Sequence, residues 1–188
     1  RPALRALAVL GVSPVLTLLH AMNSFRSSTL ALIFLLTSVV GLRAETVPGT
    51  ANLWLAGQAD GTAARITDAA PAQSPVESTA VFVAGDHLAF DVTGGTVNAA
   101  GPVTAGPDGS ATSVTHFNEF GLADLTAPLN SLVGVLINDD APAEPYPSPL
   151  QSFGTPANRD YTTLTPGLGQ PFFIGNGRTG ANAVQEVR

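Results

Sequence analysis

Residues 45–188 read as an all-β domain. The chain carries 19 glycines and 15 prolines, spread along it as punctuation. Between them lie short runs that are apolar or alternate with period two, the spacing of side chains on a strand. No stretch of this region sustains the 3.6-residue apolar period of a helix, so little helix is expected.

Taken in order, residues 51–57 (ANLWLAG) form a short amphipathic piece around Trp54, with Leu53 and Leu55 alternating against it. Residues 58–75 are polar, alanine-rich and broken by proline, and read as loop. Residues 76–84 (VESTAVFVA) alternate as a strand, Gly85-Asp86 marks a turn, and 87–93 (HLAFDVT) alternate again. Leu88, Phe90 and Val92 fall on one face of that second run, and His87, Ala89, Asp91 and Thr93 on the other. Two such runs around Gly-Asp predict a β-hairpin. Residues 94–109 are a long glycine-punctuated loop, of a kind that is usually functional or mobile. A short strand is expected at 113–117, and a second loop with Asp124 and Pro128 at 118–130. The run 131–137 is the central strand, and its near-continuous apolar character predicts burial on both faces. Residues 139–171 read as a long proline-rich connection. Residues 171–174 (PFFI) follow as a strand, 175–180 as a turn, and 183–187 as the start of one more strand.

The first 44 residues stand apart from this pattern. From Met22, a polar head with Arg26 precedes an apolar run over 30–40, and a short stretch ends at Ala44. This is the layout of a secretory signal peptide, helical and cleaved after Ala44. The run spans about 11 residues, short of the roughly 20 that cross a bilayer. Residues 1–21 read as upstream translation outside the native protein. The alternative is a membrane anchor built from the apolar segments 6–19 and 29–42.

Removing that leader leaves 144 of the 188 residues, enough for one domain with its own core. Against 14 acidic residues stand 4 arginines, hence a net charge of −10, and the chain has no lysine. An acidic domain without a basic stripe excludes nucleic acid and anionic membranes as partners, so membrane contact is expected through the N-terminal signal or anchor alone. Cation binding remains open. The absence of cysteine excludes a disulfide framework, a zinc–thiolate site and a thiol nucleophile, and points to a bacterial rather than an animal extracellular origin.

Catalytic patterns are absent: there is no G-x-S-x-G, no H-E-x-x-H and, without lysine, no P-loop. Gly175-Asn176-Gly177-Arg178-Thr179-Gly180 has the spacing of a dinucleotide-binding loop, but no helix pattern follows it, so a turn between strands is expected. His87 lies on the polar face of its strand, and His116 precedes Phe117-Asn118-Glu119. Asn138-Asp139-Asp140, at the end of the central strand, has three readings: a turn, a set of cation ligands, or part of a sugar-binding rim.

Several segments, taken in order, carry a resemblance: ANLWLAG, LAFDVTGGT, GPVTAGPDG, LTAPLNSLVGVLINDDAP, TLTPGLGQPFFIGNGRTG and VQEV. Over residues 51–188 the chain resembles a family of secreted bacterial proteins whose domain is similar to the calcium-dependent, galactose-specific lectins of the PA-IL type. The resemblance implies a jelly-roll-like, galactose-binding β-sandwich of two sheets with ligand loops at one end. It implies calcium bridging protein oxygens and sugar hydroxyls, with no proton transfer. The backbone carbonyl of Ala100, before Gly101-Pro102, matches one calcium ligand of the lectins. Their sugar-contacting loop corresponds to 116–124, which names His116 and Asn118. The lectins' main calcium loop, an aspartate, a threonine and an Asn-Asn-x-Gly run, has no counterpart here, which implies a C-terminally incomplete domain. The expectation is a secreted or envelope-bound, calcium-assisted carbohydrate-binding module without catalysis. A structural envelope or matrix protein that has lost sugar binding is the alternative, and an accessory domain of a larger secreted enzyme is a third reading.

Overall fold

The computed structural model describes residues 4–6, 45–65, 68–78, 81–82, 85–98 and 104–188. The expected signal segment at 22–44 lies outside the described residues, as do residues 7–21. The regular secondary structure among the described residues is mostly strand. Helix among the described residues amounts to a 3-10 turn, Leu53–Leu55, and the single α-helical turn α1 (Pro156–Arg159). No helix among them is long and apolar enough to cross a membrane.

Fourteen short strands assemble into six small sheets among the described residues. Two sheets have three strands. In one, β1 (Leu4–Ala6) lies antiparallel between β4 (Val81–Phe82) and β11 (Leu136–Ile137). In the other, β14 (Glu186–Val187) runs parallel to β12 (Thr163–Leu164) and antiparallel to β5 (Leu88–Ala89). The four two-stranded sheets are antiparallel. They join β2 (Ala63–Arg65) to β3 (Asp68–Ala69) and β6 (Val97–Asn98) to β7 (Thr104–Ala105). They also join β8 (Ser113–His116) to β9 (Leu125–Pro128) and β10 (Val133–Gly134) to β13 (Phe172–Phe173).

Several local expectations are corrected. Among the described residues the predicted hairpin over 76–93 does not form: β5 pairs with β14 and β4 with β1, because alternation fixes a strand's faces but not its neighbour. Strands β2 and β3 occupy the predicted loop 58–75, β6 and β7 the loop 94–109, and β9 the loop 118–130. The central run 131–137 is two strands in two sheets, β10 and β11, either side of Val135. Gly134 and Val135 are buried there while Leu132, Val133, Leu136 and Ile137 are half-buried, so the run is not covered on both faces throughout. The connection 139–171 contains α1 and β12.

One apolar cluster holds these sheets together. Phe172 and Phe173 on β13, Leu88 on β5, Leu125 on β9 and Val187 on β14 all belong to it. Fully burying one such side chain stabilises the fold by about 1.5–3 kcal/mol. Phe153, from the connection after β11, has no exposed surface and packs with its ring 6.2 Å from Tyr161 and 6.3 Å from Phe173.

Tyr161 is itself buried, and its hydroxyl donates to the Phe173 carbonyl at 2.5 Å. Burial pushes its ionisation well above that of an ordinary phenol. The raised value belongs to the folded state, so its contribution is fully present below the unfolded phenol pKa of about 10 and is lost as pH rises towards the folded value. Thermal melts across pH are expected to show stability falling above about pH 10. Tyr161→Phe is expected to remove that alkaline loss while costing about 1 kcal/mol at neutral pH through the missing hydrogen bond. An unchanged alkaline limb in the variant would show that this phenol is not its cause.

The 175–180 segment is a turn structure, as the missing helix pattern predicted. Gly175 and Gly177 have φ of +58° and +74°, in the region that favours glycine. Asp108, from the turn after β7, fastens it. Its carboxylate accepts from the Asn176 backbone N–H at 2.9 Å and from the Asn176 side-chain amide at 3.2 Å. The Asn176 side-chain oxygen in turn accepts from the Arg178 N–H at 2.8 Å. Asp108→Ala is expected to cost about 1–2 kcal/mol in urea unfolding, because an Asn176 N–H loses a charged acceptor at the surface. Faster hydrogen exchange at that amide would locate the effect.

Candidate functional site

The hairpin of β8 and β9 presents the loop 117–124. The two strands are in register from Ser113 opposite Pro128 to His116 opposite Leu125, and the Thr115 and Thr126 hydroxyls bond across them at 2.8 Å. β-branched residues facing each other in this way stabilise a strand pair. At the loop's base the Asn118 N–H donates to the Asp124 carboxylate at 2.7 Å, which closes the loop on itself. At its tip, residues 119–122 form a tight turn, with the Leu122 N–H donating to the Glu119 carbonyl at 3.0 Å. Phe120 and Gly121 take φ of +48° and +78°, the left-handed pair of a type I′ turn. A β-carbon on Gly121 would lie 2.3 Å from the Ala143 nitrogen and 2.4 Å from the Pro142 carbonyl carbon. The turn therefore rests directly on the chain that follows β11.

His116 is fixed from three sides. Its ring stacks on Trp54, with centroids 3.6 Å apart and planes at 23°. Trp54 is held in the 3-10 turn, where its own N–H donates to the Asn52 side-chain oxygen at 3.0 Å. The His116 Nδ1 lies 2.9 Å from the Phe117 carbonyl. A carbonyl only accepts, so Nδ1 carries the hydrogen. Nε2 then faces the Glu119 carboxylate at 3.8 Å, within ion-pair range but too long for a hydrogen bond. Phe117 projects beside it with 69% of its surface exposed. Asn118 is exposed too, and it is its backbone N–H rather than its side chain that the loop uses.

No family model, curated protein or solved structure matches this chain.

Of the residues named for sugar contact, His116 ends β8 and Asn118 lies in the loop that follows, with Phe117 between them in the chain. Ala100 lies outside the described residues. Among the described residues no three His, Asp or Glu side chains converge as a metal-holding group, so these residues do not by themselves fit calcium, which takes six to eight oxygens. Asp139 and Asp140 are exposed and Asn138 is half-buried, where β11 gives way to the 141–150 loop. His87, exposed just before β5, has its Nδ1 3.3 Å from the Glu186 carboxylate of β14.

Beside the 117–124 loop runs an open cleft of about 400 Å³. Gln58, Glu119, Phe120, Gly121, Glu144 and Tyr146 are among the residues that line it. The Tyr146 phenol is raised above its ordinary range, first by Glu144 as a hydrogen-bond acceptor, then by desolvation and by the charges of Glu144 and Glu119. Sequence reasoning passed over Trp54 as a partner of His116, and over Glu144 and Tyr146. The last two sit in PAEPYPSP, where an acid and an aromatic ring interleave with prolines. A ligand-facing loop rather than a bare connection was the signal available there.

Proposed function

We propose that this chain is a secreted bacterial carbohydrate-binding module of the calcium-assisted, galactose type, which grips its ligand without catalysis. The single observation that carries the reading is Phe117, a largely exposed ring between His116 and Asn118 on a closed loop. An aromatic face flanked by hydrogen-bonding groups suits a sugar, which offers C–H on its faces and hydroxyls at its edge. The jelly-roll-like sandwich of the PA-IL type belongs to this proposal, as does export by the 22–44 segment. Calcium enters through residues outside those described, such as the Ala100 carbonyl, and no step here depends on it.

Full-length protein is expected to be retained on a galactose resin in calcium and released by a chelator. Phe117→Ala is expected to abolish retention while leaving unfolding unchanged within about 0.5 kcal/mol, as for most surface substitutions. Absent retention in calcium would defeat the reading. Val114 and Leu129, also exposed on this hairpin, favour the second reading, a self-associating envelope or matrix protein. Concentration-dependent assembly together with absent retention would establish it.

A further inference from the structure

Independently of any ligand, we propose that Asn176 is a site of spontaneous deamidation gated by the Asp108 clasp, so that the 175–180 turn carries a one-way chemical timer. Asn176-Gly177 is the only asparagine–glycine pair in the sequence. Gly177 has no side chain to keep its backbone nitrogen away from the Asn176 side-chain carbon. In the reaction the Gly177 N–H gives its proton to hydroxide and the nitrogen attacks Asn176 Cγ. The Cγ–Nδ2 bond breaks, and Nδ2 takes a proton from water and leaves as ammonia. The succinimide ring that remains takes up one water and opens to aspartate or isoaspartate. No oxidant or cofactor takes part.

The geometry both prepares this reaction and restrains it. Asn176 is exposed, so water reaches it. Its Oδ1 already accepts from the Arg178 N–H at 2.8 Å, and attack at Cγ develops negative charge on that same oxygen. The restraint lies on the nitrogens. The Gly177 N–H that must be released donates to the Ile174 carbonyl at 2.9 Å. Asp108 holds both the backbone N–H and the side-chain amide of Asn176. Reaction therefore waits for local opening of the turn, and Asp108 sets how often the turn opens. Conversion then prevents reclosure. An aspartate at 176 loses the amide donor that stands 3.2 Å from the Asp108 carboxylate and sets a second negative charge in its place. Isoaspartate adds a backbone carbon just before Gly177, where even a β-carbon would stand 2.1 Å from the Phe90 carbonyl oxygen.

The test is to incubate the folded full chain at mildly alkaline pH, digest it with trypsin at mildly acidic pH, and weigh the peptides over time. Peptide 160–178 contains Asn176 and no other asparagine, and peptide 179–188 contains Asn182, which alanine follows. Peptide 160–178 is expected to gain one mass unit while peptide 179–188 does not. Asp108→Ala is expected to speed that gain about 5–30-fold, the factor by which a lost charged hydrogen bond raises the open population. Asp108→Asn, which keeps an acceptor oxygen, should fall between the two. The converted protein, separated by its extra negative charge, and the Asn176→Asp variant are both expected to melt below the starting protein. No gain at 160–178, or an equal gain in the two peptides, would overturn the site. An Asp108→Ala rate equal to that of the unaltered chain would overturn the gate, and so the proposal.

Discussion

Phe153→Ala is expected to lower the unfolding free energy by about 3–5 kcal/mol, the usual cost of deleting a fully buried aromatic side chain. Phe153 has no exposed surface and lies within ring contact of Tyr161 and Phe173. Its backbone is also engaged, with the N–H donating to the Thr126 carbonyl of β9 at 2.8 Å. The ring therefore sits where the 139–171 connection crosses the β8–β9 hairpin. Truncation leaves a cavity that three separate elements line, and they cannot all close on it. In urea the midpoint should fall with little change in slope, since the same surface is exposed on unfolding. Phe153→Leu should recover much of the loss. A loss below about 1 kcal/mol for Phe153→Ala would mean that the connection is not anchored in the core.

Gly177→Ala is expected to be of similar size for a different reason. A β-carbon at Gly177 would stand 2.1 Å from the Phe90 carbonyl oxygen, which is backbone and cannot swing aside. The residue's φ of +74° adds the left-handed penalty of about 1–2 kcal/mol, and overpacking typically adds 1–3 kcal/mol more. The total, about 2–5 kcal/mol, is a large fraction of the roughly 5–15 kcal/mol that holds a domain folded. Gly61→Ala is the control. Gly61 has φ of +86° with nothing within 4 Å of the added carbon, so only the conformational penalty of about 1–2 kcal/mol should appear. Equal losses at the two positions would show that backbone conformation, and not the contact with Phe90, decides.

These two residues also mark how far the sequence could be read. The GNGRTG segment was legible as a turn because a dinucleotide loop needs a following helix, and no helical period follows Gly180. That Asp108 would fasten the turn was not legible, since nothing local links GPDG to a segment so far along the chain. The all-β character followed from short apolar runs between glycines and prolines, which describe a chain's local habit. The pairing did not follow, and the hairpin expected around Gly85-Asp86 shows why. Alternation tells which face of β5 is apolar, but β14 rather than β4 supplies the neighbour. β9 was missed because Leu125-Thr126-Ala127-Pro128 ends in proline, which is disfavoured inside sheets but tolerated at edges and ends. At the candidate site His116 and Asn118 came from the resemblance. The stack of His116 on Trp54 and the cleft that Glu119 and Glu144 both line are products of tertiary packing.

The β5–β14 pairing has a consequence for how the chain is made. Leu88 finds its neighbour in Val187, which leaves the ribosome about 100 residues later, roughly 5–20 s at ordinary speeds of synthesis. Through that interval Leu88 and Phe90 lack the strand that shields them. The nascent chain is thus adhesive for most of its production, and it favours a cell that keeps such chains unfolded and escorted until the last strand arrives.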